Sequence, residues 1–132
     1  VEVMLGSDRW LPASSGCHLW LWVTRTHLPT GLWVMEQLGF RYVSNAVWMK
    51  KDIGIGQYMR TQHEVLLLGS AGKAMVPPPE RRPSSVIVAP QEAHSRKPEE
   101  SYKLIETVSP GPRLEMFARR RRRGWDCWGD EV

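Results

Sequence analysis

Leu114 to Val132 reads LEMFARRRRRGWDCWGDEV. An apolar run, Leu114, Met116, Phe117 and Ala118, leads into five consecutive arginines, Arg119 to Arg123, and then into Gly124, Trp125, Trp128, Gly129, Asp130 and Glu131. A free basic arm is polar and rich in lysine, serine or glycine. This stretch instead sits between a strand-like segment and two tryptophans, whose large rings favour burial. It predicts a strand over Leu114–Ala118 followed by a folded loop. In open α/β sheets, ligands sit beyond the carboxyl ends of strands. Arginines leaving such an end grip a carboxylate or phosphate through a forked pair of hydrogen bonds. Asp130 and Glu131 add acceptors for ribose hydroxyls or an amino group. A nucleoside-like ligand with one acidic end suits both halves; a solvated arginine loop with a tryptophan-anchored tail suits the residue types equally well.

Upstream, His18-Leu19-Trp20-Leu21-Trp22-Val23-Thr24 is an apolar run too short for a helix and rich in aromatics, so it reads as a buried strand. Pro29 opens a helix whose Leu32, Met35, Glu36 and Leu38 recur at helical spacing, and Gly39 stops it. Phe40–Met49 reads as a second strand, Glu64–Leu68 as a third and Val86–Val88 as a fourth. Ser70–Ser85, with Pro77, Pro78, Pro79 and Pro83, reads as irregular. Pro98 opens a second helix carrying Glu99 and Glu100 in its first turn, where the helix dipole favours them. Ser101, Leu104, Ile105 and Val108 share one of its faces, and Pro110-Gly111-Pro112 ends it. The order β-α-β-β-β-α-β argues for an α/β sheet covered by helices.

Composition sets the outer bounds. The 132 residues suit one domain over 1–132, and 42% hydrophobic with 24% charged residues is ordinary for a globular chain. The formal net charge of +4 is concentrated: six of the eighteen basic residues lie between Arg113 and Arg123. That suits an anionic partner. Two cysteines, Cys17 and Cys127, make no disulfide framework, and no Cys/His spacing suits a structural zinc. Cys17 reads as a small core residue. No apolar run reaches membrane-spanning length, so no membrane association is expected, and a reducing, cytoplasmic compartment is the default.

Two further constellations carry chemistry. Lys97 lies beside a helix N-terminus in His94-Ser95-Arg96-Lys97-Pro98-Glu99-Glu100, where backbone N–H groups attract anions; a plain capping segment is the blander alternative. Gly54-Ile55-Gly56-Gln57-Tyr58-Met59-Arg60 does not complete a dinucleotide fingerprint. It reads as a mobile, substrate-facing loop, with Lys50, Lys51 and Arg60 for phosphates and Tyr58 for stacking. Glu64 is either an acceptor for the exocyclic amine of a base or an ordinary strand-end charge.

Taken in order, these pieces resemble the MT-A70 family of adenine N6-methyltransferases. The resemblance rests on His18–Thr24, Leu38–Tyr42, Val47–Lys50, Gly56–Glu64 with Leu66-Leu67-Leu68-Gly69, Ser95–Glu100, Leu104-Ile105-Glu106, Ser109-Pro110-Gly111 and Glu115–Glu131. It covers nearly the whole chain from Cys17 on. The Phe-Ala-Arg-Arg and Gly-Trp wording is closer to the bacterial and phage DNA-modifying branch than to the eukaryotic RNA branch. The resemblance implies a Rossmann-like class I methyltransferase fold and S-adenosyl-L-methionine as cofactor. It implies that Lys97 meets the methionine carboxylate and that Arg119 and Arg121 approach the ribose and carboxylate region. It places Asp130 and Glu131 at the adenosine end and Glu64 near the target adenine. The partner implied is nucleic acid, DNA in preference to RNA.

The sequence departs from the family in three respects, one being the unusually arginine-rich loop Arg119–Arg123. Asp130 stands where the family has Asn, which turns a donor-plus-acceptor into an acceptor only. The Asp-Pro-Pro-Trp motif that holds the adenine N6 does not occur; upstream of the first strand the chain reads Asp8-Arg9-Trp10-Leu11-Pro12. The expectation is therefore a single, incomplete domain that lacks the catalytic strand and does not transfer methyl groups by itself. Its open sheet edge would lower its stability or pair with a partner as a homo- or heterodimer. A different reading is a nucleic-acid-binding or partner subunit that keeps the fold without the chemistry.

Overall fold

The computed structural model describes residues 16–92 and 96–132. The stretch Asp8–Pro12 and the residues His94 and Ser95 lie outside the described residues. The elements are β1 (Cys17–Val23), α1 (Leu28–Gln37), β2 (Arg41–Met49), β3 (His63–Ala71), β4 (Val86–Val88), α2 (Glu99–Val108), β5 (Arg113–Met116) and β6 (Trp125–Trp128). Single 3-10 turns occupy Arg25–His27 and Pro79–Arg81.

The main sheet has the order β1-β3-β2-β4. β3 runs antiparallel to both β1 and β2, and β4 runs parallel to β2. Both faces are covered, which is why β1 and β3 read as almost unbroken apolar runs. On one face Ala46, Trp48, Leu66, Ile87 and Ala89 pack with Leu104 and Ile105 of α2, flanked by Trp20 and Trp22. On the other, Val23, Leu67, Ala71 and Phe40 pack with Met35 of α1, flanked by Leu19 and Leu21. The alternation in β1 thus sends tryptophans toward α2 and aliphatics toward α1. Trp48 is buried to 1% exposure, and its indole N–H donates to the Ala89 carbonyl at 2.9 Å, so its polar atom is satisfied.

The α/β class with a helix-covered sheet holds as read from the sequence, and the structure places α2 on one face and α1 on the other. The direction of the strands, left open by the sequence, is mixed, with β3 antiparallel between β1 and β2. Several expectations need correction. The strand expected at Leu114–Ala118 spans Arg113–Met116 and does not join that sheet; it pairs in parallel with β6 in a two-stranded sheet of its own. The sequence reading missed β6, because the turn residues around it masked a four-residue strand. β3 extends to Ala71, so Ser70 and Ala71, expected in an irregular segment, are strand residues. α2 begins at Glu99 with Pro98 as its N-cap, since a proline needs no N–H partner there. Cys17 is only partly buried, against the α1-side core.

A large-to-small change in the centre of β3 leaves a cavity that both neighbouring strands hold open. Leu66→Ala is expected to cost about 2–5 kcal/mol in urea unfolding, and Leu114→Ala, on the exposed side of β5, roughly a tenth to a fifth of that.

Candidate functional site

Two groups of polar residues are held at defined places in this framework. The first stands where β2 leaves the sheet and β3 enters it. Lys50 follows β2, Glu64 is the second residue of β3, and Lys97 precedes α2. The Glu64 carboxylate receives both ammonium groups, Lys97 Nζ at 2.9 Å and Lys50 Nζ at 3.0 Å. Beneath them lie Trp22 and Trp48, edge to face with ring centres 6.0 Å apart. Lys97 Nζ sits 4.9 Å from the Trp22 ring centre and Lys50 Nζ 5.0 Å from that of Trp48. The ring faces attract the cations, and the rings exclude water from beneath the pair. Burial by itself would raise the Glu64 pKa, but the hydrogen bonds from Lys97 and Lys50 outweigh it and hold the carboxyl below its ordinary 4.5. Each ammonium has three donors, so Lys97 keeps donors for a ligand after serving Glu64.

The second group lies at the carboxyl ends of β5 and β6. The two strands run parallel, so Phe117–Arg119 and Gly129–Glu131 leave the sheet side by side. The Ala118 N–H donates to the Trp128 carbonyl at 2.9 Å and closes the pair. A side chain at position 129 would meet the Ala118 backbone at 2.9 Å, and φ there is +158°, so glycine alone allows this approach. Arg119 and Glu131 face each other as an exposed ion pair at 3.7 Å. Asp130 is exposed beside them. Arg121 points its guanidinium toward Cys127 Sγ at 3.6 Å.

The arginine run divides by role. Arg122 turns inward: its Nε donates to Glu106 Oε1 at 2.7 Å, its Nη2 reaches Glu106 Oε2 at 3.4 Å, and its Nη1 pairs with Glu99. Arg120 Nη2 reaches Glu99 Oε2 at 3.3 Å. Both guanidinium groups lie over the Tyr102 ring, at 5.3 and 5.0 Å. Trp125 meets Tyr102 edge to face and donates its indole N–H to Glu106 Oε1 at 3.2 Å. The Tyr102 hydroxyl donates to Glu115 Oε1 at 2.7 Å; burial first, and this bond second, push its pKa up to about 12. Arg122 likewise holds the Glu106 carboxyl below its ordinary range. Arg120 and Arg122 therefore fasten the loop to α2, and Arg119, Arg121 and Arg123 face outward.

Of the residues singled out from the sequence, Lys50, Glu64 and Lys97 form one cluster, and Arg119 and Glu131, with Asp130 adjoining, form another. Glu99, two residues beyond Lys97, is the link between them through Arg120 and Arg122. Tyr58 and Arg60 lie on the β2–β3 loop, away from direct contact with either cluster; Tyr58 is 98% exposed. That loop, expected to be mobile, is tied at several points: Gly54 N–H to the Thr61 carbonyl at 2.7 Å, Thr61 N–H to the Ile55 carbonyl at 3.0 Å, and Arg25 to Thr61 Oγ1 and to the Met59 carbonyl at 2.9 and 2.6 Å. The sequence reading missed Arg25, which follows β1 and touches the loop only through the fold. It also missed the Trp22–Trp48 floor, although two tryptophans at core-facing positions of adjacent-looking strands were a usable signal. A cavity of about 390 Å³ lies elsewhere, between His18, Trp20, Arg41, Ser70, Met75 and Leu104.

The family model described as MT-A70 matches residues 11–131. The chain is 31% identical to the type II methyltransferase M.MunI of Mycoplasma sp, over 88% of this chain and 51% of that protein. It is 30% identical to the N(6)-adenosine-methyltransferase MT-A70-like protein of Arabidopsis thaliana, over 86% of this chain and 18% of that one. It is 32% identical to the N6-methyladenosine RNA methyltransferase MTA1 of Pyricularia oryzae, over 75% and 28% respectively. The chain thus spans about half the length of the first of these relatives and less than a third of the other two.

Two outcomes follow from the site's charges. Arg122→Ala removes the guanidinium that joins Glu106 and Glu99, leaving Glu106 only the Trp125 indole, and is expected to lower the unfolding free energy measured in urea by about 1–3 kcal/mol, whereas Arg123→Ala changes it by less than about 0.5. Because folding keeps Glu64 ionised below its ordinary 4.5, its contribution is complete above that pH and is lost as pH falls through the depressed value. The stability of the native chain should therefore fall on acidification below about pH 4.5, and Glu64→Gln should flatten that slope while lowering the neutral plateau.

Proposed function

The chain belongs to the MT-A70 family of methyltransferases, and from that premise we propose that it forms the cofactor-holding and substrate-facing part of an adenine-N6 methyltransferase of Rossmann-like fold that acts on DNA. The observation that carries the reading is the pairing of strand ends. Parallel β5 and β6 deliver Arg119, Asp130 and Glu131 together, and the Arg120–Glu99–Arg122 contacts hold them against the segment that bears Lys97.

The donor set fits S-adenosyl-L-methionine. Lys97 and Arg119 are cations suited to a carboxylate, and Asp130 and Glu131 are acceptors suited to ribose hydroxyls or an adenine amine. When bound, this cofactor supplies an electrophilic methyl group on a sulfonium. Lys97 binds and orients the acidic end, with Glu64 and the Trp22 ring fixing its ammonium. Glu64 is the acceptor for an exocyclic amine at the substrate side, its charge maintained by Lys50. Arg121 adds a further cation at the rim, and Lys50, Arg60 and Tyr58 serve the nucleic acid, the lysine and arginine through phosphates and the tyrosine through stacking. Asp-Pro-Pro-Trp does not occur within these residues, so the proposal for this chain is confined to binding and positioning.

Support for DNA over RNA comes from the resemblance of the Phe117–Trp125 block to the bacterial and phage DNA-modifying branch. Calorimetric titration with S-adenosyl-L-methionine tests the reading. Binding is expected, and Lys97→Ala and Arg119→Ala are each expected to weaken it about tenfold to a hundredfold, as loss of a charged hydrogen bond does. Arg123→Ala should leave it unchanged. Absence of binding by the folded chain would overturn the proposal.

A further inference from the structure

The β2–β3 loop combines two properties that rarely occur together. Its tip exposes large apolar side chains: Ile53 at 66%, Ile55 at 84%, Tyr58 at 98% and Met59 at 69%. Yet its backbone is held. The Lys50 N–H donates to the Gln62 carbonyl at 2.8 Å, and Gln62 Nε2 returns to the Lys50 carbonyl at 3.1 Å, closing the base. Above the base, Gly54, Ile55 and Thr61 exchange the two bonds described, and Arg25 clamps Met59 and Thr61 from the segment after β1. Gly56 sits so close that a side chain there would lie 2.0 Å from the Met59 carbonyl oxygen and 2.6 Å from Arg25 Nη2. The backbone is closely packed, and the apolar side chains point away from it.

Exposed apolar groups clustered on a fixed tip mark a contact surface. The surroundings specify the partner. Lys51 and Arg60 flank the tip, are exposed, and have no ion-pair partner among the described residues. The loop's base leads within two residues to Glu64. Apolar side chains between two unpaired cations match a nucleic-acid duplex: phosphates on the flanks and a base stack between them. Chemistry on a base inside a duplex requires that base to leave the stack, and an apolar side chain entering a base step offsets the lost stacking.

We infer that the Ile55–Met59 tip is a base-step wedge, held by Arg25, that enters the duplex beside the adenine and occupies the space it vacates. Lys51 and Arg60 anchor the wedge on the phosphates, and Arg25 acts as a positioning residue for it. The inference rests on the nucleic-acid reading of the preceding section and names the element by which the substrate is opened.

The test compares two duplexes of about twenty base pairs, identical except that one carries a single abasic site, by fluorescence anisotropy with the intact chain. A wedge spares the cost of unstacking at the gap, so the abasic duplex should bind roughly tenfold tighter. The triple variant Ile55→Ser, Tyr58→Ser, Met59→Ser should lose that preference, weakening the abasic duplex roughly tenfold more than the intact one. Tyr58→Ser alone, at the most exposed position, should reduce the preference and guards against misfolding of the triple variant. Arg25→Ala should also reduce the preference, and Arg25→Lys should restore it in part. Lys51→Ala with Arg60→Ala should weaken both duplexes equally. Binding of both duplexes with equal affinity by the native chain overturns the wedge and leaves the proposed function standing. No binding of either duplex, with cofactor binding intact, overturns the nucleic-acid reading and the wedge together. A native dimer that the triple variant converts to monomer assigns the tip to self-association and overturns the inference.

Discussion

The contact on which the architecture depends is made by one ten-residue helix. On one side, Leu104 and Ile105 of α2 close the tryptophan-rich face of the main sheet. On another, Tyr102, Glu99 and Glu106 grip Trp125, Arg120 and Arg122 of the β5–β6 unit. Among the described residues the two sheets share no ladder hydrogen bond, so their relation is set through this helix. Even its ends are committed: Arg113 donates to the Glu106 and Ser109 carbonyls, and Ser109 Oγ meets the Trp20 indole and His18 of β1 at 2.8 and 2.6 Å. A cation on the last carbonyls of a helix and acidic residues in its first turn both follow the helix dipole.

This arrangement explains the density of arginine near the C-terminus. A guanidinium carries five donors in a rigid plane, so one residue can bridge two carboxylates and still lie flat on a tyrosine ring. Arg122 does all three. Lysine could supply the charge but not the fork. Arg119, Arg121 and Arg123 of the same bent loop stay exposed, so a single run of like residues serves both fastening and surface charge.

Much of this was legible in the sequence. Both helices, the four strands of the main sheet and the two-sided burial follow from apolar runs, prolines and glycines whose preferences are local. The candidate residues Lys97, Glu64, Arg119 and Glu131 were legible one by one as charges at strand ends and at a helix start. Their grouping was not. Lys50 and Lys97 are far apart in sequence, and only the insertion of β3 between β1 and β2 brings both to the Glu64 carboxylate above Trp22 and Trp48. β6 stayed hidden because four residues between turns carry too little periodicity to stand out.

By itself the sequence determined the α/β class, the two apolar faces and the concentration of positive charge after the last long helix, since these depend on composition and short-range spacing. The tertiary structure alone decided which arginines are consumed by α2, which lysines meet Glu64, and that the glycine-punctuated loop is clamped by Arg25. Those outcomes depend on strand order and on the side chains of residues remote in the chain, and pairwise electrostatics acts over a few ångströms of space whatever the separation in sequence.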